Sequence, residues 1–329
     1  MGRQFRLAIL SDIHYAGPRE QSKGDDYELR EISRPLVRIA LQQYRRFIWL
    51  RYPLRQNGQL DRFLAEVSSA DLVVANGDFT CDVAAVGVSD DDAFESVQLC
   101  LTKLREKFED RFRATMGDHE LGKLRLVGSH GGLRLESYRR ATEELGIAPF
   151  WRVELGRYVC FGVTSTLIAL PMFAADMLPE ERSGWERLRM EHLQQLRDAF
   201  TAVRPEQRIL FFCHDPTALP FLWRDEIIRP HIPKIERTII GHLHSNLYLR
   251  ASRWLSGMPI VRFAGATIQR MSEAVREARY WKPFNVLLCP SLAGIELLND
   301  GGYFTVTLDE TTETPAEFRF HSLKRPRWQ

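Results

Sequence analysis

With 329 residues, 44% of them hydrophobic and 27% charged, the chain has an ordinary globular composition and enough length for a sizeable core. That excludes a disordered or fibrous protein, and a formal net charge of +2 supplies no global field that would demand nucleic acid. Length alone allows one large domain or two smaller ones. No internal repeat or low-complexity linker breaks the chain, so a single domain over 1–329 is expected.

The N-terminus reads MGRQFRLAILSD. Its apolar run is too short and too charged for a signal peptide, and Arg6 stands where a myristoylation signal wants Ser or Thr. No stretch approaches the roughly 20 apolar residues needed to span a bilayer. A cytoplasmic protein is expected, with peripheral association at the inner membrane left open. Cys81, Cys100, Cys160, Cys213 and Cys289 are odd in number, widely spaced and free of any CxxC. They suit a reduced compartment better than a disulfide framework.

FRLAIL (5–10) is the first of several short apolar runs closed by glycine or polar residues. DLVVAN (71–76), FRATM (112–116), YVCFGVTS (158–165), RILFFC (208–213) and RTII (237–240) come after it. Such runs suit strands buried on both faces. Apolar residues at three- and four-residue spacing predict helices over 90–108 and 179–203. After residue 258 short strand-like runs take over: PIVRFAGA, FNVLLC, GIELL, YFTVTL and EFRFHS. The order predicts an α/β (α+β) sandwich, with helices outside and antiparallel strands at the close.

Between the first two strands lies LREISRPLVRIALQQYRRFIWLRYPLR, residues 29–55. It sets Arg30, Arg34, Arg38, Arg45, Arg46, Arg51 and Arg55 against one acid, Glu31, and interleaves Tyr44, Phe47, Trp49 and Tyr52. Pro35 suits a first helical turn and Pro53 a stop. Ile32, Leu36, Ile39, Phe47 and Leu50 keep helical spacing, with Gln43 an exception. The stretch reads as a basic amphipathic insertion at about 30–57. It could be a surface helix packed on the core. It could lie on an anionic membrane, Trp49 and Phe47 in lipid and Arg45, Arg46 and Arg51 on headgroups or substrate phosphate. A nucleic-acid contact is the third reading, and the near-neutral total charge weighs against it.

One regularity carries chemistry. Strand after strand ends in a potential metal ligand: Asp12 and His14, then Asp78, then Asp118 and His119, then His214, then His242 and His244. Strand ends on one edge of an open α/β sheet form its functional crevice. Carboxylate and imidazole together suit Mn, Fe or Zn. A carboxylate between two metals can bridge them, and metals about 3.5–4 Å apart can clamp a phosphoryl group while activating water. Any single Asp or His after a strand is ordinarily a cap or turn residue, so only the conjunction is specific. Glycines before Asp78, Asp118 and His242 would let the backbone turn sharply off each strand. His130, His192, His231 and His321 fall outside the pattern and read as surface or core residues.

The ordered set Asp12-Ile13-His14, Gly77-Asp78, Gly117-Asp118-His119-Glu120, His214 and Gly241-His242-Leu243-His244 resembles the calcineurin-like metallophosphoesterases, over residues 8–244. Asn76 before Gly77 fits the pattern loosely. The resemblance implies a four-layer αββα sandwich and two divalent ions. Asp12, His14 and His244 would hold the first ion, and Asp118, His214 and His242 the second, with Asp78 between them. Metal-activated hydroxide would attack phosphorus in line. His119 would stabilise the developing charge or protonate the leaving oxygen, with Glu120 orienting it. The family usually has Asn where this chain has Asp118. A carboxylate there keeps the reach and adds a negative charge, which should tighten metal binding and weaken Lewis acidity. An active site with its preference moved toward Mn, ahead of Fe or Zn, is expected, and Asp118→Asn should keep two metals. An inactive, degenerate site is the alternative.

More narrowly, a basic, Trp-bearing insertion right after D-x-H resembles the branch that splits UDP-2,3-diacylglucosamine into lipid monophosphate and UMP. This implies a phosphorylated lipid or small-molecule substrate and an anionic membrane surface as partner. The rivals are a soluble phosphodiesterase, a protein phosphatase, a nuclease, and an inactive metal-binding scaffold that docks to membrane. Residues 268–282 would help shape a substrate cleft.

Overall fold

The computed structural model describes residues 3–30, 32–81, 85–123, 131–257, 259, 266–311 and 314–324. Among the described residues ten strands form two five-stranded sheets. The first sheet holds β1 (Gln4–Leu10), β2 (Leu72–Asn76), β3 (Phe112–Thr115), β9 (Gly302–Asp309) and β10 (Glu317–Ser322), in the order β10-β9-β1-β2-β3. The second holds β4 (Phe150–Leu155), β5 (Tyr158–Val163), β6 (Arg208–Cys213), β7 (Ile235–Ile240) and β8 (Val286–Leu288), in chain order. β1, β2 and β3 run parallel, as do β5 through β8, while β9, β10 and β4 pair antiparallel.

Strand periodicity sorts the apolar residues into layers. Successive side chains point to opposite faces, so a run such as FRLAIL must be covered twice. Phe5, Leu7 and Ile9 join Leu210, Phe212, Phe304 and Val306 in one core, drawn from both sheets. Ala8 and Leu10 belong to the other core, with residues of the helices. The principal helices are α1 (Pro18–Lys23), α2 (Pro35–Phe47), α3 (Asn57–Glu66), α4 (Asp91–Phe108), α5 (Arg182–Thr201), α6 (Asn246–Trp254) and α7 (Ala266–Glu277). Phe63 of α3 meets Phe108 of α4 and Tyr303 of β9 at ring centroid distances of 6.0 and 5.0 Å. Phe200 of α5 meets Phe161 and Phe211 of the second sheet at 5.4 and 5.8 Å. Helices therefore cover both outer faces, and the sheets face each other between them. Each fully buried Leu, Ile or Phe in these layers contributes about 1.5–3 kcal/mol.

The helix expected over 179–203 begins at Arg182, after a short 3-10 turn at Pro179–Glu181. The C-terminal third departs further from the expected run of strands. FNVLLC, YFTVTL and EFRFHS fall on β8, β9 and β10, but GIELL (294–298) is a loop whose turn lies at 296–298. Of PIVRFAGA, residues 260–265 lie outside the described residues. α7 and a 3-10 segment at Ala278–Phe284 fill 266–284, where charged residues every few positions suit a helical surface. β4 was not legible as a strand: it is a sheet edge whose Arg152, Val153 and Glu154 stay partly or fully exposed. All five cysteines are buried, and none is in a disulfide among the described residues.

Within the insertion, Pro35 occupies the first turn of α2, and Pro53 opens a 3-10 turn at Pro53–Arg55. No residue of α2 is buried. The insertion is tied down at its ends: Arg45 pairs with Glu28, Arg55 with Asp25 at 3.0 Å, and Trp49 O accepts from Glu296 N at 2.6 Å. Among the described residues no helix is long and apolar enough to cross a membrane.

Candidate metal centre

Parallel strands deliver their C-terminal ends to one edge, and here two sheets do so together. The segments leaving β1, β2 and β3 meet those leaving β6 and β7. Asp12 N donates to Gly77 O and His14 N to Asp78 O, both at 3.1 Å. Gly241 N donates to His214 O at 2.9 Å, and His242 N donates across to Asp12 Oδ1 at 3.0 Å. These bonds hold an unusual backbone. Asp12, His14, Asp78, His242 and His244 all adopt positive φ, between 48° and 59°. For a residue with a Cβ this conformation costs on the order of 1 kcal/mol.

The three glycines have two different reasons. Gly77 turns through φ 87°, which only glycine adopts freely. Gly117 sits at φ −92°, an ordinary value, so turning is not its purpose. A Cβ there would lie 2.2 Å from Asp78 Oδ1, and one at Gly241 would lie 2.1 Å from Ser11 Oγ and 2.5 Å from Asp12 Oδ2. These two are glycine because a carboxylate, joined at Gly241 by the Ser11 hydroxyl, occupies the space.

The strand-exit residues gather into two overlapping quartets. Asp12, His14, Asp78 and His244 form one, and Asp78, Asp118, His214 and His242 the other. Within each, the potential ligand atoms lie within 4.8 Å of one another, and Asp78 belongs to both. All are buried except His242, whose side chain is 33% exposed and marks the open side.

Backbone carbonyls fix how the imidazoles are presented. A carbonyl only accepts, so His14 Nδ1 donates to Thr80 O (3.0 Å) and His214 Nδ1 to Asn76 O (2.6 Å). Each Nε2 then turns inward, as carbonyls behind metal-ligating histidines commonly arrange. Ser11 Oγ donates to Asp12 Oδ2 at 2.6 Å, holding that carboxylate in place. Asp78 Oδ2 and His214 Nε2 lie 3.1 Å apart, fully buried, and face other members of the two quartets rather than solvent. Buried polar atoms left this way are costly unless an ion completes them. Carboxylate oxygens and imidazole nitrogens are also a suitable donor set for divalent ions.

The charges demand cations too. Burial raises the Asp12 carboxyl to about 6, with His214 opposing and Asp78 adding. Burial also works to raise Asp78 and Asp118. Yet His119 and His214 around Asp78, and His242 and His214 around Asp118, hold both below the ordinary carboxylate value. Burial depresses the imidazoles in turn, but Asp78 lifts His214 well above its usual value and Asp118 lifts His242 to about 9. Three buried carboxylates are balanced only by positive charge nearby.

Asp118 lies where the second quartet needs it, its Oδ1 3.0 Å from His242 Nδ1 and 3.4 Å from His214 Nε2. His119 donates from Nδ1 to Cys81 O at 3.2 Å, which leaves Nε2 facing Asp78 Oδ2 at 3.6 Å. Glu120, expected to orient His119, is hydrogen-bonded to backbone. Its carboxylate accepts instead from the backbone N–H groups of Phe79 (2.8 Å), Gly117 (2.9 Å), Asp78 (3.1 Å) and Thr80 (3.4 Å). It clamps the Asp78 loop to the Gly117 loop, and Cys81 O does the orienting. Lys123, which sequence reasoning passed over, contacts His119 Nε2. Its place four residues after His119 was the available signal.

The insertion residues divide. Trp49 packs on His244, ring centroids 4.4 Å apart, so it faces the metal centre rather than outward. Arg45 is committed to Glu28 and to Asp25 O, which removes it from headgroup contact. Arg46 and Phe47 are exposed, the guanidinium 5.4 Å from the ring, and Arg51 is exposed over Tyr52.

The family described as calcineurin-like phosphoesterase matches residues 5–246, which include all seven quartet residues. This chain belongs to the calcineurin-like phosphoesterase family. Among solved structures, the phosphoesterase is similar to a purple acid phosphatase from yellow lupin (Lupinus luteus) seeds, at 11% identity and TM-score 0.47. That match covers 99% of this chain and 53% of the other, so the chain spans about half the length of the lupin enzyme. It is similar to the phosphopantetheinyl hydrolase of Mycobacterium tuberculosis, at 14% identity and TM-score 0.37, over 74% of this chain and 84% of that one. It is also similar to a conserved phosphoesterase-like protein of Streptococcus pneumoniae, at 11% identity and TM-score 0.27, over 98% and 100% of the two chains. A comparison with curated proteins gives no match. The family assignment rests on the matched segment, not on these distant likenesses.

Proposed function

We propose that the chain is a dimetal hydrolase of a phosphodiester or pyrophosphate bond in a lipid headgroup, working from the cytoplasmic side at an anionic membrane surface. The observation that carries the dimetal reading is Asp78, shared by two buried ligand quartets. Asp12, His14 and His244 would hold one ion, Asp118, His214 and His242 the other, and Asp78 both. Two divalent ions there would lower the pKa of water and draw charge from the phosphoryl oxygens. A third carboxylate in the set favours a hard ion, so Mn leads over Fe or Zn.

The chain's own groups divide the remaining work. His119, its Nδ1 held by Cys81 O, presents Nε2 on the Asp78 side, where it would carry a proton at the leaving oxygen. Lys123, beside that nitrogen, supplies positive charge to an anionic substrate. Glu120 fixes the loops that carry Asp78 and His119. Trp49 walls the His244 side. The lipid part of the reading is supported by α2, where Leu36 is 82% and Phe47 58% exposed beside exposed Arg38 and Arg46.

UDP-2,3-diacylglucosamine is the lead substrate. The test is incubation with Mn²⁺ and that lipid in detergent, with UMP as the readout and His119→Ala as control. UMP from the wild type alone is expected. Hydrolysis of a generic diester without UMP would remove the lipid assignment and keep the dimetal chemistry. Silence on both substrates would overturn the reading in favour of an inactive scaffold.

A further inference from the structure

Among the described residues, eight of the twelve exposed large hydrophobics lie on α2, on α6 and on the loop after residue 294: Leu36, Ile39, Tyr44, Phe47, Leu247, Trp254, Leu297 and Leu298. Soluble surfaces seldom gather apolar residues this way without a partner. The three segments are joined. Tyr44 and Tyr248 share a 2.9 Å hydrogen bond, Trp49 meets the Tyr248 ring at 5.9 Å, and Leu297 N donates to Ile48 O at 3.2 Å.

Charge identifies the partner. Among the described helices of nine residues or more, α2 and α6 alone carry no Asp or Glu. Arg34, at the N-cap of α2, and Arg38 and Arg46 within it are exposed, as are Arg250 and Arg253 of α6. None of the five pairs with a carboxylate among the described residues. Leu, Phe and Trp interleaved with such arginines on two exposed helices match an interface between acyl chains and anionic headgroups. An acidic protein groove would satisfy the arginines but not Trp254, which is 85% exposed at the far end of α6.

We propose that α2 and α6 form one docking surface for an anionic lipid bilayer, with α6 supplying the half that adjoins the metal centre. α6 starts directly after His244, its N-cap Ser245 accepting from Leu247 N at 3.3 Å. Docking through both helices therefore sets the His244 side of the centre next to the headgroup layer. The inference rests on the lipid-substrate reading and extends it to a surface that the insertion alone does not provide.

The test uses the full chain and sucrose-loaded vesicles of phosphatidylcholine, with and without phosphatidylglycerol. Wild type is compared with Leu247→Ser/Trp254→Ser on α6 and with Leu36→Ser/Ile39→Ser on α2. Wild type should sediment with anionic vesicles and far less with neutral ones. Each double variant should lose about tenfold or more in partitioning. All three should hydrolyse bis(p-nitrophenyl) phosphate with Mn²⁺ at similar rates. An α6 variant that binds like wild type overturns the two-helix surface. So does wild type that ignores anionic vesicles or binds neutral ones equally. A dimer seen by light scattering and abolished by the same substitutions would assign the face to a second copy and equally overturn it. Loss of diester hydrolysis in wild type would sink the dimetal reading alone, and vesicle binding would still report on the surface.

Discussion

Around Asp78 almost every neighbour is fixed. Glu120 accepts from its N–H, its own carbonyl accepts from His14 N, and Gly117 leaves no room on its other side. Around Phe47, at the end of α2, the reverse holds: the helix buries nothing, and a few contacts at its ends keep it in place. The first region is over-determined by packing and hydrogen bonds, which is what lets it hold a strained backbone. The second spends its apolar residues on solvent. One chain thus sets a rigid chemical centre beside a loosely held surface, and the contact between Trp49 and His244 is where the two meet.

The sharpest way to break this contrast is at Asp78. Asp78→Asn removes the charge shared by both quartets, so metal content should fall from two ions per chain to one or none. Diester turnover should drop about 10³-fold, equivalent to about 4 kcal/mol. Elemental analysis alongside kinetics checks it, and two retained ions would show that Asp78 is not shared.

Gly117→Ala comes next. Its Cβ would press within 2.2 Å of Asp78 Oδ1 while leaving the chemical identity of every candidate ligand unchanged. A displacement of roughly 1 Å in a catalytic group costs about 10²-fold, so turnover should fall by that much while circular dichroism stays native. Full activity would mean the centre is more pliant than its packing indicates.

Trp49→Ala tests the junction. The ring supports His244 from outside the quartet, and loss of such support typically costs 10–100-fold in metal affinity. Calorimetric titration with Mn²⁺ should show one of two sites weakened by about tenfold, and Trp49→Phe should recover most of it. Two unchanged sites would confine Trp49 to the substrate side.

A test on stability rather than turnover lies in α1, ahead of the insertion. Glu20 of α1 is buried, accepts from Ser96 Oγ at 2.6 Å, and is pushed by burial from 4.5 up to about 7. The folded state therefore holds this proton more tightly than the unfolded chain does. Stability contributed here is present below about pH 4.5 and is lost as pH rises through about 7. Glu20→Gln should match wild type at about pH 4 and exceed it by on the order of 2 kcal/mol at about pH 8. Denaturant melts at both pH values measure it, and a constant difference across pH would assign the change to packing.

The sheet edges and the candidate ligands were legible because one rule governs both. A buried parallel strand is a short apolar run, and the residues just past its C-terminal end emerge at a common edge. That made Asp12, His14, Asp78, Asp118, His214, His242 and His244 readable as a set, and the structure brings them together. Side-chain direction was not legible. Glu120 comes after His119 in sequence but points to the backbone of another loop, and Trp49 looked like a membrane anchor until its ring was placed on His244. β4 and α7 were missed because local pattern does not distinguish a sheet edge from a loop, or a charged helix from a short strand.

Five of the eight described non-glycine residues with positive φ are members of the two quartets. At about 1 kcal/mol each, the left-handed backbone makes the centre the least comfortable part of an otherwise well-packed fold. Selection for heat resistance alone would therefore erode it first, replacing His14, His242 or His244 with Asn or Gly. Such descendants would melt later and hydrolyse nothing, the usual antagonism between robustness and catalysis.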